Sequence, residues 1–144
     1  MKNLIGSILV IILTLSVFAA CEKEPETAAF GPPANIKITI DGRIMTVSWD
    51  VVKDAQGYRI VLTSVGCGSG NRTIDTKAGT AVVTSSGNTA TNVEFVNETT
   101  IRVTLMADSP GANIPMATSV TAKVMSIGEI DSEFSEVVVH NIVK

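Results

Sequence analysis

The residues that most often perform catalysis are scarce in this chain of 144 residues, which contains a single His. On paper, His140 and the many Ser and Asp residues offer the parts of a hydrolytic triad. Such a triad requires a placed nucleophile, base and orienting group, and no Gly-x-Ser-x-Gly frame is present to place the nucleophile. His140 lies instead in the run Val-Val-Val-His-Asn-Ile, which favours a strand. We therefore predict that the protein is not an enzyme.

The chain is equally poor in groups that bind metals or cofactors. One His and one free Cys, far apart in the sequence, cannot supply the three or four ligands of a zinc site. Asp108, Glu129 and Asp131 offer oxygens to calcium but lack the regular spacing of a calcium loop. Residues 66–71 imitate a phosphate-binding loop, yet no helical period follows them. We predict no metal, no cofactor, and a flexible loop in which Cys67 is an exposed thiol.

The beginning of the chain has the pattern of a signal peptide. Lys2 supplies one positive charge, and residues 4–20 form an uncharged, almost wholly apolar run of seventeen residues that ends in two Ala before Cys21. A transmembrane helix is the alternative, but the run is at the short limit for crossing a bilayer and has no basic flank after it. We predict that residues 1–20 are a leader that is removed.

Residues 18–21, Phe-Ala-Ala-Cys, resemble the lipobox of bacterial lipoproteins. Phe18 departs from that family, which more often has Leu or another aliphatic residue there, and the alternative is an ordinary signal peptide that happens to end before Cys. The resemblance implies that Cys21 is acylated and becomes the first residue of the mature protein. Each buried methylene contributes about 0.8 kcal/mol, so several acyl chains would hold the protein permanently on a membrane.

Residues 21–33 contain three acids and three prolines and almost no apolar side chains, which predicts an extended, mobile tether. The acids directly after Cys21 resemble an export signal of Bacteroidota lipoproteins. That signal directs lipoproteins to the outer face of the outer membrane. An ordinary solvated linker is the alternative. We expect a cell-envelope protein, anchored in the outer membrane through Cys21 and exposed at the cell surface.

The remaining residues, 34–144, are enough for one domain, and we predict a single domain there. Without the leader, which contains Lys2, ten Lys and Arg stand against fourteen Asp and Glu, and no basic run is present. Binding to nucleic acid requires a concentrated positive surface. We therefore predict no nucleic-acid partner.

Strands are indicated where apolar and polar residues alternate with a period of two. Residues 45–49 place Met, Val and Trp on one face, and residues 58–62 do the same with Tyr, Ile and Leu. The connection at 51–57 is long enough to carry the chain from one sheet to another. Residues 34–40 also alternate, and Asp41-Gly42 predicts a hairpin back into the 45–49 strand. Further strand candidates are 100–105, 120–125 and 132–139.

A strand ending in Trp49-Asp50, a short connection, and Ala-Gln-Gly-Tyr-Arg-Ile at 55–60 resemble strands B and C of fibronectin type III domains. Residues 132–139 resemble the Ser-x-x-Ser beginning of the last strand of that family, with Phe134 as a core plug. The resemblance covers about residues 33–142. It implies an all-β, fibronectin type III/immunoglobulin-like β-sandwich of about seven strands, with the Trp and Tyr of these motifs in its interior.

Two features depart from the fibronectin type III pattern. The family has a Tyr near the start of strand F, where this chain has Val120, so the corner it fixes is expected to be built differently. Residues 65–97 exceed the usual connection and contain weak strand candidates at 80–84 and 92–95, which could form an extra hairpin. An immunoglobulin domain is the alternative, but its inter-sheet disulfide has no second Cys within the domain.

Because loops carry variable function on a fixed sandwich, we expect ligands to bind at the loops of the 65–97 region and at 108–115. The candidate ligand-binding residues are Phe95, Asn71 and Asp108. We predict a non-enzymatic, lipid-anchored envelope protein whose domain is an adhesive, spacer or protein-binding module, and a partner could also add a strand to an exposed edge. The alternative is a carbohydrate-binding accessory lipoprotein of a polysaccharide-uptake system, with Phe95 stacking on the sugar.

Overall fold

A computed structural model describes residues 30–65, 71–85, 90–113 and 115–143. The predicted leader, Cys21 and Cys67 lie outside the described residues, which form nine β-strands and no helix. The strands are β1 (Lys37–Asp41), β2 (Ile44–Ser48), β3 (Gly57–Val65), β4 (Asn71–Lys77), β5 (Thr80–Ser85), β6 (Ala90–Asn97), β7 (Thr100–Leu105), β8 (Ser119–Ile127) and β9 (Val138–Asn141).

The strands form two antiparallel sheets. The first has the order β1-β2-β7-β6, and the second has the order β5-β4-β3-β8-β9. This confirms the predicted all-β, sandwich-like architecture and the predicted β1–β2 hairpin, in which Ile40 lies opposite Met45. The prediction of about seven strands was too low, since β4 had been assigned to a loop and its neighbour β5 was only a weak candidate.

The two sheets share one hydrophobic core to which both inner faces contribute. Buried residues alternate with more exposed ones along β2 and β7, as the period of two requires. Trp49 and Tyr58 are both buried, with ring centroids 5.3 Å apart and an interplanar angle of 62°, an edge-to-face contact between the end of β2 and the start of β3. The fully buried residues include Met45, Val47, Ile101 and Val103 of the first sheet and Ile60, Ile74, Ala122 and Val124 of the second.

The 65–97 region does form additional strands, but not the hairpin that the sequence suggested. The candidates at 80–84 and 92–95 are β5 and β6, which lie in different sheets. β5 turns back onto β4 through Ala78 and Gly79, both of which have positive φ, whereas β6 pairs with β7. The extra hairpin is therefore β4–β5, and β4 escaped prediction because most of its side chains are polar.

The Ser-x-x-Ser segment before β9 pairs with β8 through both the main chain and the side chains of its serines, whose amides donate to the Ser126 and Val124 carbonyls. The Ser132 hydroxyl accepts a hydrogen bond from the Ser126 amide at 2.9 Å, and the Ser135 hydroxyl accepts one from the Val124 amide at 3.0 Å. Regular pairing begins only at Val138, so β9 is shorter than the predicted 132–139 strand. Phe134 is not the core plug that was predicted. Its half-buried ring lies on the outer face, 4.2 Å from the Lys123 ammonium, because the two serines direct their own side chains toward β8.

The chain contacts the sheets before residue 34, where the domain was expected to begin. A Cβ atom at Gly128 would overlap the Phe30 ring, so this ring packs directly on the connection after β8. The Ser126 hydroxyl donates to the Gly31 carbonyl at 3.3 Å, and Pro33 is buried. The last four residues of the predicted tether, 30–33, are thus part of the packed domain.

Candidate functional site

The sandwich has two ends, which differ in the loops they carry. The proximal end, where the chain first reaches the sheets, comprises residues 49–56, 78–79, 98–99 and 128–131. The distal end comprises the 42–43 turn, the 106–118 connection and the ends of β3 and β4 at Val65 and Asn71. The three predicted ligand-binding residues are divided between these ends.

Phe95 lies at the proximal end, and Asn71 and Asp108 lie at the distal end, so the structure does not bring the three together. Phe95 belongs to β6 rather than to a loop, and its pairing with the fully buried Ile101 places it on the inner face, where it is half-buried. Asn71 begins β4, and its side-chain oxygen accepts a hydrogen bond from the Thr63 hydroxyl at 2.7 Å. Asp108 is exposed on the 106–118 connection.

A groove of about 240 Å³ opens at the proximal end. Three segments form it, namely the β2–β3 connection, the β4–β5 turn and the end of β6. Phe95 is one of its lining residues, and the phenol-bearing Tyr58 forms part of its floor together with Gly57 and Thr76. Its walls and rim include Val51, Val52, Ala55, Gln56, Lys77 and Glu98.

Tyr58 fixes the wall of the groove that the β2–β3 connection provides. The Val52 amide donates a hydrogen bond to the Tyr58 hydroxyl at 2.8 Å, across six residues of sequence. The ring beneath is buried against Trp49, so the hydroxyl is held in place by core packing. A loop tied to a rigid buried ring keeps its shape before a ligand arrives, and this lowers the entropy lost on binding.

Gly57 is required where the groove floor meets the sheet. A Cβ atom at this position would overlap the carbonyl oxygen of Thr76 on the neighbouring strand β4. The Thr76 hydroxyl is also close, and it accepts a hydrogen bond from the Tyr58 amide at 3.2 Å. Gly57 of the Gly-Tyr motif therefore permits the close approach of β3 and β4, and Tyr58 of the same motif holds the β2–β3 connection.

The groove has a mixed lining, to which apolar and polar side chains contribute about equally. Val51 is 69 % exposed, and Val52 and Ala55 are half-buried beside it. Lys77 and Glu98 are exposed at the rim. Sequence reasoning missed Val51 as a site residue, although two consecutive Val residues in a connection between strands were a detectable signal.

The distal end carries a second, wider depression of about 460 Å³ beside His140. Asn113 and Asn141 also line it, and its described lining contains neither Ser nor Asp. The depression thus lacks the partners that a His would need for nucleophilic catalysis. No three His, Cys, Asp or Glu side chains in the described ranges are grouped closely enough to hold a metal ion.

Strand β5 forms one edge of the second sheet, and the strand begins beside the groove. Among the described strands it pairs only with β4, and it has no charged residue. Val82 and Val83 are 55 % and 38 % exposed. Edge strands are usually protected by charges, Pro or bulges. Neither a charge nor Pro is found between Thr80 and Ser85, but the pairing with β4 shifts register near Thr84.

No protein-family model, curated protein or solved structure matches this chain. Over the described ranges, the chain has no helix with the length and hydropathy that a membrane crossing requires.

Proposed function

We propose that this protein is a non-enzymatic, lipid-anchored component of the bacterial cell envelope whose single domain binds other proteins. The observation that carries the binding role is the groove at the proximal end, which presents Val51, Val52 and Phe95 among polar residues and has one wall held by the Tyr58 hydroxyl. The lipid anchor is supported by the leader and by the resemblance of residues 18–21 to a lipobox.

We assign the domain to the fibronectin type III and immunoglobulin-like sandwiches. The sheet orders β1-β2-β7-β6 and β5-β4-β3-β8-β9 match the variable-type arrangement, in which strands A-B-E-D face C″-C′-C-F-G. The Trp at the end of β2 and the Ser-x-x-Ser segment before β9 are the fibronectin type III features that support the same assignment.

The groove fits an apolar side chain of a polypeptide. Its volume of about 240 Å³ suits one or two side chains, and full burial of one Leu, Ile or Phe contributes about 1.5–3 kcal/mol. The edge of β5 starts at the Ala78-Gly79 turn, which also lines the groove, so an extended peptide could fill the groove and continue along the strand. Main-chain pairing would then supply affinity, and the groove would supply specificity.

Selection of a displayed peptide library on the mature protein in nanodiscs tests this role. We expect enriched peptides with an aliphatic or aromatic anchor residue, and Val51→Asp is expected to weaken their binding at least about tenfold, or 1.4 kcal/mol. Val139→Asp is the matched control, since Val139 is 59 % exposed on the outer face near β8 and lies outside the groove. Equal losses in both variants, or enrichment that neither variant alters, would argue against the groove as the binding site.

Carbohydrate binding is the second candidate, and the position of Phe95 favours it. A half-buried aromatic ring beside polar rim residues is an arrangement that stacks on sugar rings. Glycan-array binding that is lost in Phe95→Ala and kept in Phe134→Ala would establish this candidate. Phe134 is a matched control because it is also half-buried but lies on the outer face beneath Lys123. An array without binding would leave the protein partner as the preferred ligand class.

A further inference from the structure

The path of the chain into the domain fixes which end of the sandwich is nearest the predicted anchor. Phe30 packs on Gly128, in the connection that follows β8. The Gly31 carbonyl accepts a hydrogen bond from the hydroxyl of Ser126, near the end of β8. The chain then crosses to β2, where the Ala34 carbonyl accepts a hydrogen bond from the Asp50 amide at 3.0 Å. All of these contacts are at the proximal end, so the chain is held there before β1 starts toward the distal end.

The distance from the anchor to this end is limited by chain length. Nine residues lead from Cys21 to Phe30, and a fully extended chain spans at most about 3.3–3.6 Å per residue, or roughly 30 Å in total. β3 has nine residues, which at about 3.3 Å each separate the two ends by roughly 30 Å. An acylated Cys21 can therefore bring the proximal end close to a bilayer while the distal end remains a further sandwich length away.

Charge keeps the proximal end from lying flat on an anionic leaflet. Its exposed ionised groups are mainly acids, and carboxylates are repelled by anionic headgroups. The exposed charged residues of its loops and groove rim are Asp50, Asp54, Glu98, Glu129 and Asp131 against Lys53 and Lys77. The groove is thus left open to the space between domain and membrane.

We propose that the proximal end is the membrane-facing surface of the anchored protein, and that its groove takes a polypeptide carried by a protein of the same membrane. The distal end, with the 106–118 connection and the depression beside His140, faces away from the bilayer. This inference rests on the proposed lipid anchor and protein-binding role. It adds that the partner is bound in cis, because the groove lies within the reach of a tether of nine residues.

The test measures the distance of each end from a bilayer. The acylated protein with Cys67→Ser is reconstituted in vesicles that contain a lipid-attached energy acceptor, and a donor dye is placed on Lys53→Cys or, separately, on Ser109→Cys. Both positions are exposed, the first on the proximal end and the second on the distal end. We expect several-fold higher energy transfer from position 53 than from position 109. Equal or reversed transfer in vesicle-bound protein would overturn the orientation while leaving the anchor intact.

Two further arms separate the orientation from the anchor. Flotation with vesicles reports the anchor alone, and protein that does not float overturns both the anchor and the inference that rests on it. Inserting twenty Gly and Ser residues after Ala28 should reduce the difference between the two positions, since a long flexible linker no longer restricts which end faces the lipid. A difference that the insertion leaves unchanged would show that something other than the short tether orients the domain, and would contradict the inference.

Discussion

The two ends of the sandwich are closed by different kinds of contact. At the proximal end, the buried Tyr58 ring holds the β2–β3 connection through its hydroxyl, and Phe30 packs on Gly128. At the distal end, the Asn113 side chain lies against the β1–β2 turn at Gly42, and the Arg43 side chain donates to the Leu105 carbonyl at 2.9 Å. A buried Tyr ring and a half-buried Phe ring therefore shape one end, whereas polar side chains shape the other.

Both ends have a depression, and this difference predicts that the proximal groove keeps its shape better than the wider distal one. Aromatic rings packed in a core have one position, so the loops attached to them have little freedom. The polar contacts of the distal end each contribute only about 0.5–1.5 kcal/mol and can be exchanged for water. We expect substitutions at the proximal end to cost more stability than comparable ones at the distal end, and the following predictions test this order from the largest effect to the smallest.

Trp49→Ala should give the largest loss of stability, about 3–5 kcal/mol, because it removes a buried indole and leaves a cavity beside Tyr58. The indole Nε1 is buried and donates to no atom of the described residues, so Trp49→Phe loses packing but no hydrogen bond and should cost clearly less. Urea denaturation of both variants measures the difference. Equal losses would mean that a phenyl ring recovers none of the packing against Tyr58, which would contradict this prediction.

Gly57→Ala should cost about 1–3 kcal/mol, since the added methyl group overlaps the Thr76 carbonyl and forces β3 and β4 apart at the groove floor. The same substitution at Gly111 is the control. Gly111 is open to solvent but has a φ of 79°, so its cost is limited to backbone strain of about 1 kcal/mol. A Gly57→Ala protein as stable as the control would refute the close approach of the two strands.

Tyr58→Phe should lower the free energy of unfolding by about 1 kcal/mol and should increase hydrogen exchange at the Val52 amide, which loses its acceptor. The ring itself remains, so the core contact with Trp49 is kept. Exchange measured residue by residue distinguishes a local opening of the 49–56 connection from a global change. Unchanged protection at Val52 would mean that the hydroxyl does not hold the loop.

Gly42→Ala should cost about 1 kcal/mol at the distal end, where the φ of 54° strains any residue with a Cβ atom. The methyl group also meets the end of the Asn113 side chain, which is able to move away. In the Asn113→Ala background the cost should therefore be smaller but not zero. A larger loss than that of Gly57→Ala would reverse the expected order of the two ends.

The smallest effect is expected on the outer face of the second sheet, where Arg59 lies near the start of β3 but outside the groove. Arg59 donates two hydrogen bonds to Asp75, at 2.8 and 2.7 Å, and the bond to Asp75 raises the pKa of the guanidinium above its ordinary value. The pair is partly exposed, so Arg59→Met should cost only about 0.5–1 kcal/mol. A raised pKa on a cation stabilises the fold below that pKa, so the Arg59 contribution should not change between about pH 5 and 9.

The sequence predicted those parts of the fold in which one face is buried. β1, β2, β3, β7 and β8 alternate clearly, and the Gly-Tyr and Ser-x-x-Ser motifs have direct structural roles. β4 was missed because its sequence, Asn-Arg-Thr-Ile-Asp-Thr-Lys, buries only Ile74 and Thr76, too few for a detectable pattern. Phe134 was misplaced because an aromatic residue near a strand suggests a core position, whereas here its ring lies under the Lys123 ammonium on the outer face.

The groove could be predicted only in part. Phe95 was predicted as a ligand-binding residue and does line the groove, but its neighbours there come from three segments that are distant in sequence. Their proximity depends on the pairing of β6 with the first sheet and of β4 with the second. The local periodicity of a sequence does not indicate which distant strands pair. Asn71 and Asp108 were therefore grouped with Phe95, although they lie at the other end of the sandwich.

Mapping of a selected peptide on the protein by amide chemical shifts tests the central claim most directly. The claim is that the proximal end, shaped by buried aromatic rings, is the binding surface. We predict that the shifted amides cluster at residues 51–57, 76–79 and 95–98 around the groove. Shifts that cluster instead around Asn113, His140 and Asn141 at the distal end would contradict the claim.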